Sequence, residues 1–264
     1  MSMEVIKFGG AAMKDPALVD IFANEIAQAA LAGREIVVVH GGGPEVDAML
    51  ARLGLKSERV AGLRVTDAPA MEIVEMVLAG KVNKSLASKI SSNGAPAIGL
   101  SGRDAGLLRV KKKIIAEGDL GFVGEVVQVN SSLLIKLAKE RNIPVLCSIG
   151  EDSSGIPYNV NADDVAAAVA IALEAESLTL FTDVPGVLAR YPDPTSLIER
   201  LTLNQVDELI DNGTIAGGMI PKVKSCGDVV KRGVKAVRII DGRSQSTLSG
   251  AIRGSSGSGT VISA

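Results

Sequence analysis

Short runs rich in β-branched residues alternate along the chain with longer stretches whose apolar positions recur at helical spacing. Glu4 to Phe8 and Glu35 to Val39 read as strands, Pro16 to Leu31 and Pro44 to Leu53 as helices, giving a βαβα start. Ala70 to Ile90 follows as helix, Ala97 to Leu100 as strand, Ser131 to Glu140 as helix and Ile143 to Ser148 as strand. Between Leu107 and Val129 the spacing changes: Gly118, Gly121 and Gly124 separate apolar runs, which predicts β-hairpins. The second half adds a helix over Ala162 to Leu173, a strand over Ser177 to Thr182, helices over Leu203 to Asn212 and Ile220 to Gly233, and strands over Ala236 to Ile240 and Thr260 to Ile262.

Strands joined by crossover helices predict a mostly parallel sheet covered on both faces. The fold class expected is α/β: a three-layer αβα sandwich around an open, mainly parallel sheet. No linker separates the halves, so if there are two lobes, residues 1–175 and 176–264, they are expected to share one continuous sheet or a broad contact, with the helix after Asn161 as the junction. The glycine and serine run from Gly254 to Gly259 is expected to form a flexible loop before the last strand. No internal repeat is evident.

Composition narrows the partners. With 47% hydrophobic and 22% charged residues the chain is expected to fold throughout. A formal charge of −2 supplies no basic field for a nucleic-acid backbone or an anionic membrane, leaving small molecules as the expected ligands. No apolar run approaches the roughly 18 residues of a membrane span, and Met1 to Phe8 lacks a signal-peptide core, so a cytoplasmic protein is expected. Cys147 and Cys226 stand far apart without metal-ligand spacing and read as buried free thiols.

Glycine clusters mark the candidate chemistry. Gly9 and Gly10 follow the first strand, Gly41, Gly42 and Gly43 the second, and Gly217 with Gly218 precede a helix. At strand-to-helix turns of a parallel sheet, such residues let backbone N–H groups approach phosphate oxygens. Neither G-x-x-x-x-G-K-[ST] nor G-x-G-x-x-G after the first strand is present, which excludes the two commonest nucleotide loops. His40-Gly41-Gly42-Gly43 has the form of an esterase oxyanion loop, but a hydrolase needs a G-x-S-x-G elbow and a second histidine, and His40 is the one histidine in the chain. It reads as a strand-end residue that hydrogen-bonds locally.

Lys7 lies inside the apolar run Val5-Ile6-Lys7-Phe8 directly before a double glycine, a position suited to stabilising a transferring phosphoryl group. Lys222 enters a helix behind a glycine loop and serves that role or a solvated one. Asn161 and Asp163 are placed to cap a helix, which leaves Asn159 unexplained and suggests joint function for Asn159, Asn161 and Asp163. Arg64 is placed to fork onto a substrate carboxylate or to pair with Asp67. Lys111-Lys112-Lys113 reads as a solvated hairpin face.

Six segments in order, Ile6 to Gly10, Val39 to Pro44, Gly62 to Asp67, Asn159 to Asp163, Thr182 to Val187 and Gly218 to Lys222, are similar to those of acetylglutamate kinases in the amino-acid kinase family, and the resemblance runs from end to end. It implies ATP-dependent phosphorylation of the γ-carboxylate of N-acetyl-L-glutamate in arginine biosynthesis. It implies that Lys7 and Lys222 stabilise the transferring phosphoryl group, that Asp163 orients both lysines, and that Gly42, Gly43, Arg64 and Asn159 hold the acceptor. Gly9, Gly10, Asp183, Val184, Pro185, Gly186, Val187, Leu188, Thr214, Ile215 and Ala216 would line the nucleotide site, with Mg²⁺ arriving on ATP and no metal cage in the protein. Members inhibited by arginine carry an additional N-terminal helix, and only six residues precede Lys7, so an arginine-insensitive homodimer is expected. Leu188 to Pro194 is similar instead to kinases acting on carrier-protein-bound aminoadipate or glutamate, the alternative enzyme reading. A non-catalytic amino-acid-binding module is the alternative from another class.

Overall fold

The structure, a computed structural model, describes residues 2–255 and 259–264; of the loop expected over Gly254 to Gly259, residues 256–258 lie outside that description. The first half runs β1 (Met3–Phe8), α1 (Pro16–Leu31), β2 (Glu35–His40), α2 (Gly43–Arg52), β3 (Arg59–Val60), β4 (Leu63–Arg64), α3 (Ala68–Glu75), α4 (Asn83–Ser92), β5 (Ala97–Ser101), β6 (Leu108–Lys112), β7 (Val123–Val129), α5 (Ser132–Lys139) and β8 (Ile143–Cys147). The remainder is β9 (Ile149–Glu151), β10 (Pro157–Val160), α6 (Ala162–Ala172), β11 (Ser177–Thr182), β12 (Arg200–Thr202), α7 (Leu203–Asp211), α8 (Met219–Lys231), β13 (Ala236–Asp241), α9 (Gln245–Arg253) and β14 (Thr260–Ser263).

Eight strands form one sheet in the order β12-β14-β13-β11-β1-β2-β8-β5. Its pairings are parallel except that between β13 and β14. β1 is the hinge of this order: the chain leaves it toward β2 on one side and returns on the other as β11. Ligands collect beyond the strand ends at such a reversal, because loops diverge there to either side. Lys7 is therefore presented at the switch point by the strand that defines it.

Alternation along the strands divides the core into layers. Ile6, Phe8, Ile36, Val38, Val145, Phe181 and Ile240 face α1, α4 and α9, while Val5, Val37, Val39, Leu178, Leu180 and Ile239 face α5, α6 and α8. Phe8 stacks on Phe22 of α1 with ring centroids 4.0 Å apart, which anchors the end of β1 immediately after Lys7. The separate cluster of Val46, Leu50, Met71, Val74, Val77 and Leu78 joins α2 to α3 beside the glycine loop after β2.

Three features differ from the pattern-based reading. The helix expected over Ala70 to Ile90 is helical throughout but contains a π-helical segment, Met76–Val82, between α3 and α4. A wider turn shifts the following face relative to an α-helix, a change that hydrophobic periodicity does not register. β6 and β7 form the expected antiparallel hairpin, but with β9 and β10 they close a small barrel; β9 and β10 span three and four residues, too short for an alternating pattern to register. α9, Gln-Ser-Thr-Leu-Ser-Gly-Ala-Ile-Arg, is poor in helix formers and is held by its Ser244 cap and by Leu248, Ala251 and Ile252 in the core.

Candidate active site

A cavity of about 590 Å³ opens beyond the ends of β1 and β2. Lys7 and Gly10 line it from the first strand-end loop, Gly41, Gly42 and Gly43 from the second, Arg64 from β4, and Asn159 and Asp163 from either side of the α6 start. The sequence reading selected these residues separately, and the fold brings them to one hollow. Gly9 lies beneath: a Cβ built there would meet the Lys7 side chain at 3.0 Å.

Lys7 is 8% exposed, with Nζ 2.9 Å from Asp163 Oδ1 as an ion pair and donating to the Phe181 carbonyl at 3.4 Å. Asp163 reaches it because Asn161 caps α6, its side chain accepting from the N–H groups of Asp163 at 2.8 Å and Asp164 at 3.4 Å. The cap explains Asn161, and it leaves the Asp163 carboxylate for the lysine. Lys222, in the first turns of α8, donates to Thr182 Oγ1 at 2.7 Å, and that hydroxyl donates to Asp183 Oδ1 at 3.1 Å. Both lysines are thus held at consecutive residues, Phe181 and Thr182, at the end of β11.

Arg64, 7% exposed, does not pair with Asp67. Asp67 caps α3 by accepting from Ala70 N at 2.9 Å, while the guanidinium donates to the Asp47 carboxylate, the Ser57 hydroxyl and, at 3.0 Å, the Gly43 carbonyl. Asp47 also accepts from Arg59 Nη2 at 3.1 Å. Partial burial pushes the Asp47 carboxyl up, but hydrogen bonds from Arg64 and Ser57 and the charges of Arg64 and Arg59 outweigh it and hold it at about 2. Asp47 and Ser57 carry no motif signal in the sequence; only the fold identifies them as what orients Arg64. Asn159 donates to Thr66 Oγ1 at 3.3 Å, and the Thr66 backbone is bonded to Leu120 and Phe122 before β7. The β6–β7 hairpin therefore buttresses the wall carrying Arg64 and Asn159.

Gly42 takes φ +153°, which is strained for any residue with a side chain, and a Cβ there would stand 2.6 Å from Leu78 Cδ2, so that the leucine tip would have to shift. His40 is fully buried, its imidazole pulled down to about 4 by burial. Cys147 and Cys226 are buried free thiols pushed up to about 12 by burial. Lys111 and Lys112 are partly solvated, paired with Glu125 and Asp119, but Lys113 departs from the solvated-face reading: its side chain is 24% exposed and lies 3.3 Å from Asp164 in the first turn of α6.

The remaining sequence-selected residues lie outside the cavity lining. Asp183 is exposed, Val184 and Pro185 are half-buried, and Gly186, Val187 and Leu188 are buried; Val187 N donates to Thr260 Oγ1 at 2.8 Å. Ile215 is buried, between half-buried Thr214 and exposed Ala216, in the turn leading to α8 and Lys222. Among the described residues no group of three or more His, Cys, Asp or Glu is arranged to hold a metal ion, and no helix is long and apolar enough to cross a membrane.

Comparison with known proteins gives consistent matches. The model of the amino acid kinase family matches residues 2–241. The acetylglutamate kinase of Carboxydothermus hydrogenoformans is 46% identical, the match covering 98% of this chain and 90% of the relative. The chloroplastic acetylglutamate kinase of Arabidopsis thaliana is 47% identical, over 98% of this chain and 74% of the relative. Among solved structures, a Streptococcus mutans UA159 protein superimposes with a TM-score of 0.77 at 31% identity, covering 99% of this chain and 98% of that one. Giardia lamblia carbamate kinase bound to AMP-PNP shares the fold at a TM-score of 0.68 and 20% identity, over 99% and 98% of the two chains.

Proposed function

The chain belongs to the amino acid kinase family, and we propose that it transfers the γ-phosphoryl group of MgATP to the side-chain carboxylate of N-acetyl-L-glutamate, forming an acylphosphate in arginine biosynthesis. The observation that carries this reading is that Lys7 and Lys222 hydrogen-bond to consecutive residues, Phe181 and Thr182, at the end of β11, and that Lys7 lines a cavity also lined by the buried Arg64. Two cations at the switch point suit a moving group whose charge spreads over its equatorial oxygens, and an arginine suits an acceptor anchored by a second carboxylate.

In the reaction proposed, the γ-carboxylate attacks phosphorus in line and ADP leaves, with no covalent enzyme intermediate. The attacking group is already ionised near neutral pH, so no general base is needed. Lys7 and Lys222 offset the charge on the transferring group, while Asp163 keeps Lys7 oriented. Arg64 holds the α-carboxylate, and Gly42, Gly43 and Asn159 position the acceptor. Asp183 to Leu188 and Thr214 to Ala216, with Gly9 and Gly10, would accommodate the nucleotide. Because Val187, Leu188 and Ile215 are buried, contacts there fall to backbone groups and to the more exposed Asp183, Thr214 and Ala216. Residues 1–175 would then carry the acceptor and 176–264 the nucleotide. We place the protein in the cytoplasm as a homodimer, the latter checked by sedimentation velocity.

The names of the relatives favour the free acetylated acid over a carrier-bound one. The deciding experiment is ATP-dependent acylphosphate formation by the purified protein, trapped with hydroxylamine, comparing N-acetyl-L-glutamate with glutamate, aspartate and aminoadipate. Turnover restricted to N-acetyl-L-glutamate is expected; nucleotide binding without turnover of any free acid would overturn the proposal.

A further inference from the structure

His40 takes no part in the chemistry above, yet it touches the glycine loop that does. It ends β2, paired in register with Phe8 of β1 and Cys147 of β8, and has no exposed surface. Both ring nitrogens are engaged: Nδ1 lies 2.6 Å from the Gly41 carbonyl oxygen and Nε2 lies 2.9 Å from Asn83 Nδ2. A carbonyl only accepts and an amide NH₂ only donates, so Nδ1 carries the proton and Nε2 is bare. The Asn83 amide is oriented by other acceptors as well, because the same nitrogen is 2.8 Å from the Val145 carbonyl and 3.2 Å from that of Leu100, its two N–H groups being shared among these carbonyls and the imidazole. Two strands thus fix the amide, and the amide selects one imidazole tautomer. Burial, which favours the neutral ring, acts in the same direction.

Asn83 sits where it does because it directly follows the π-helical segment Met76–Val82, whose Leu78 and Val82 close on Gly42. The glycine loop is therefore held from two sides by one helical run, by van der Waals contact at Gly42 and through the imidazole at Gly41. Three consecutive glycines have no side chains to fix their peptide planes. Holding the Gly41 carbonyl sets the Gly41–Gly42 plane, and in a trans peptide the Gly42 N–H then points away from the imidazole. Gly41, Gly42 and Gly43 all line the cavity.

We propose that His40, locked by Asn83 with its proton on Nδ1, is a positioning residue that fixes the Gly41–Gly42 peptide plane and thereby aims the Gly42 N–H at an oxygen of the bound anion. This rests on the function proposed above.

The test has two arms. With one histidine in the chain, ¹⁵N-histidine labelling gives a single pair of ring nitrogen resonances. A protonated Nδ1 and a bare Nε2, unchanged from about pH 5.5 to 8.5, are expected, whereas an Nε2–H tautomer or a midpoint near the ordinary value of about 6.5 would overturn the inference. The second arm compares His40→Asn, whose amide nitrogen falls near the place of Nδ1, with His40→Gln, whose amide nitrogen falls near that of Nε2. For positioning, His40→Gln raises the KM for N-acetyl-L-glutamate roughly tenfold, in the range of a lost hydrogen bond, while that for MgATP moves less, and His40→Asn rescues most of the loss. A packing role ranks them the other way, because glutamine is nearer histidine in volume, and that order would sink the proposal. A parent with the expected tautomer that turns over no free acid would instead defeat the reaction, and the positioning role with it.

Discussion

Asp163 Oδ1 stands 2.9 Å from Lys7 Nζ, joining the start of α6 to the end of β1 in the lining of the cavity. Lys7 is 8% exposed and Asp163 more open, so the pair sets a desolvated cation against a carboxylate whose backbone the helix cap holds in place. Asp163→Asn preserves the backbone N–H that Asn161 caps and removes only the charge. We expect kcat to fall roughly 100-fold, in the range of a lost electrostatic contribution to the transition state, with KM for N-acetyl-L-glutamate little changed. Steady-state kinetics decide it: a kcat within twofold of the parent would remove Asp163 from the mechanism.

Lys222 meets β11 at the residue after the one that Lys7 contacts. Lys222→Ala is expected to lower kcat by roughly 10²–10³ with KM nearly constant, because its contact with the transferring group strengthens as charge spreads. Thr182→Val, which removes the hydroxyl between Lys222 and Asp183, should lose a smaller part of kcat. Equal losses in the two variants would mean that Thr182, not Lys222, carries the effect.

Arg64→Ala should mainly raise KM for N-acetyl-L-glutamate, and an unchanged KM would take Arg64 out of the acceptor site. Asp47 supplies a pH-dependent companion. Its carboxyl is at about 2 in the folded protein against an ordinary value of 3.8. A depressed folded value means stability that is present above the unfolded value and lost as pH falls through the folded one. Between about pH 4 and pH 2 the parent should therefore lose more unfolding free energy than Asp47→Asn, and above about pH 5 the difference between them should be constant. Urea titrations across that range check it; parallel curves would show that the Arg64 and Arg59 contacts do not lower the carboxyl.

Much of this was legible in the chain, for identifiable reasons. The strand Ser177 to Thr182 and the helix Pro16 to Leu31 have the bounds that pattern alone predicts, because each buries a predominantly apolar face, broken only by Thr179 and Thr182 in the strand and by Glu25 in the helix. Lys7 and the glycine loops were legible because a cation in an apolar run, and glycines at strand ends, conflict with packing economy. Asp47, Ser57 and Asn83 were not, since a polar residue on a helix or loop is ordinary in sequence and acquires its partner only through tertiary contact. The Arg64 alternative with Asp67 illustrates the same limit: proximity in sequence suggested Asp67, but Asp67 is occupied in capping α3. Lys113 looked solvated among three lysines and instead lies 3.3 Å from Asp164, a residue distant in sequence.

The Lys113–Asp164 contact joins the β6–β7 hairpin to the helix turn that carries Asp163. Partly exposed ion pairs contribute only about 0–1 kcal/mol, so Lys113→Met should leave Tm almost unmoved. If the pair steadies the α6 start, kcat should nevertheless fall by a fewfold. A drop in Tm of many degrees with kcat intact would make it a structural strap with no bearing on the site.

Gly42 tests the close approach on which the acceptor loop depends. A methyl group there would stand 2.6 Å from Leu78 Cδ2 at a φ of +153°, so strain and overlap act together. The overlap falls on the tip of the Leu78 side chain, which can turn aside, whereas the φ is strained for any side chain whatever the space; overpacking costs at most roughly 1–3 kcal/mol. Gly42→Ala should therefore lower Tm by several degrees and raise KM for N-acetyl-L-glutamate. Leu78→Ala in the same chain removes the overlapping atom, so it should recover part of the Tm if sterics dominate and little if the backbone conformation does. Thermal denaturation of the single and double variants separates the two. Recovery of Tm without recovery of KM would show that the loop's conformation, rather than the space around it, determines acceptor binding.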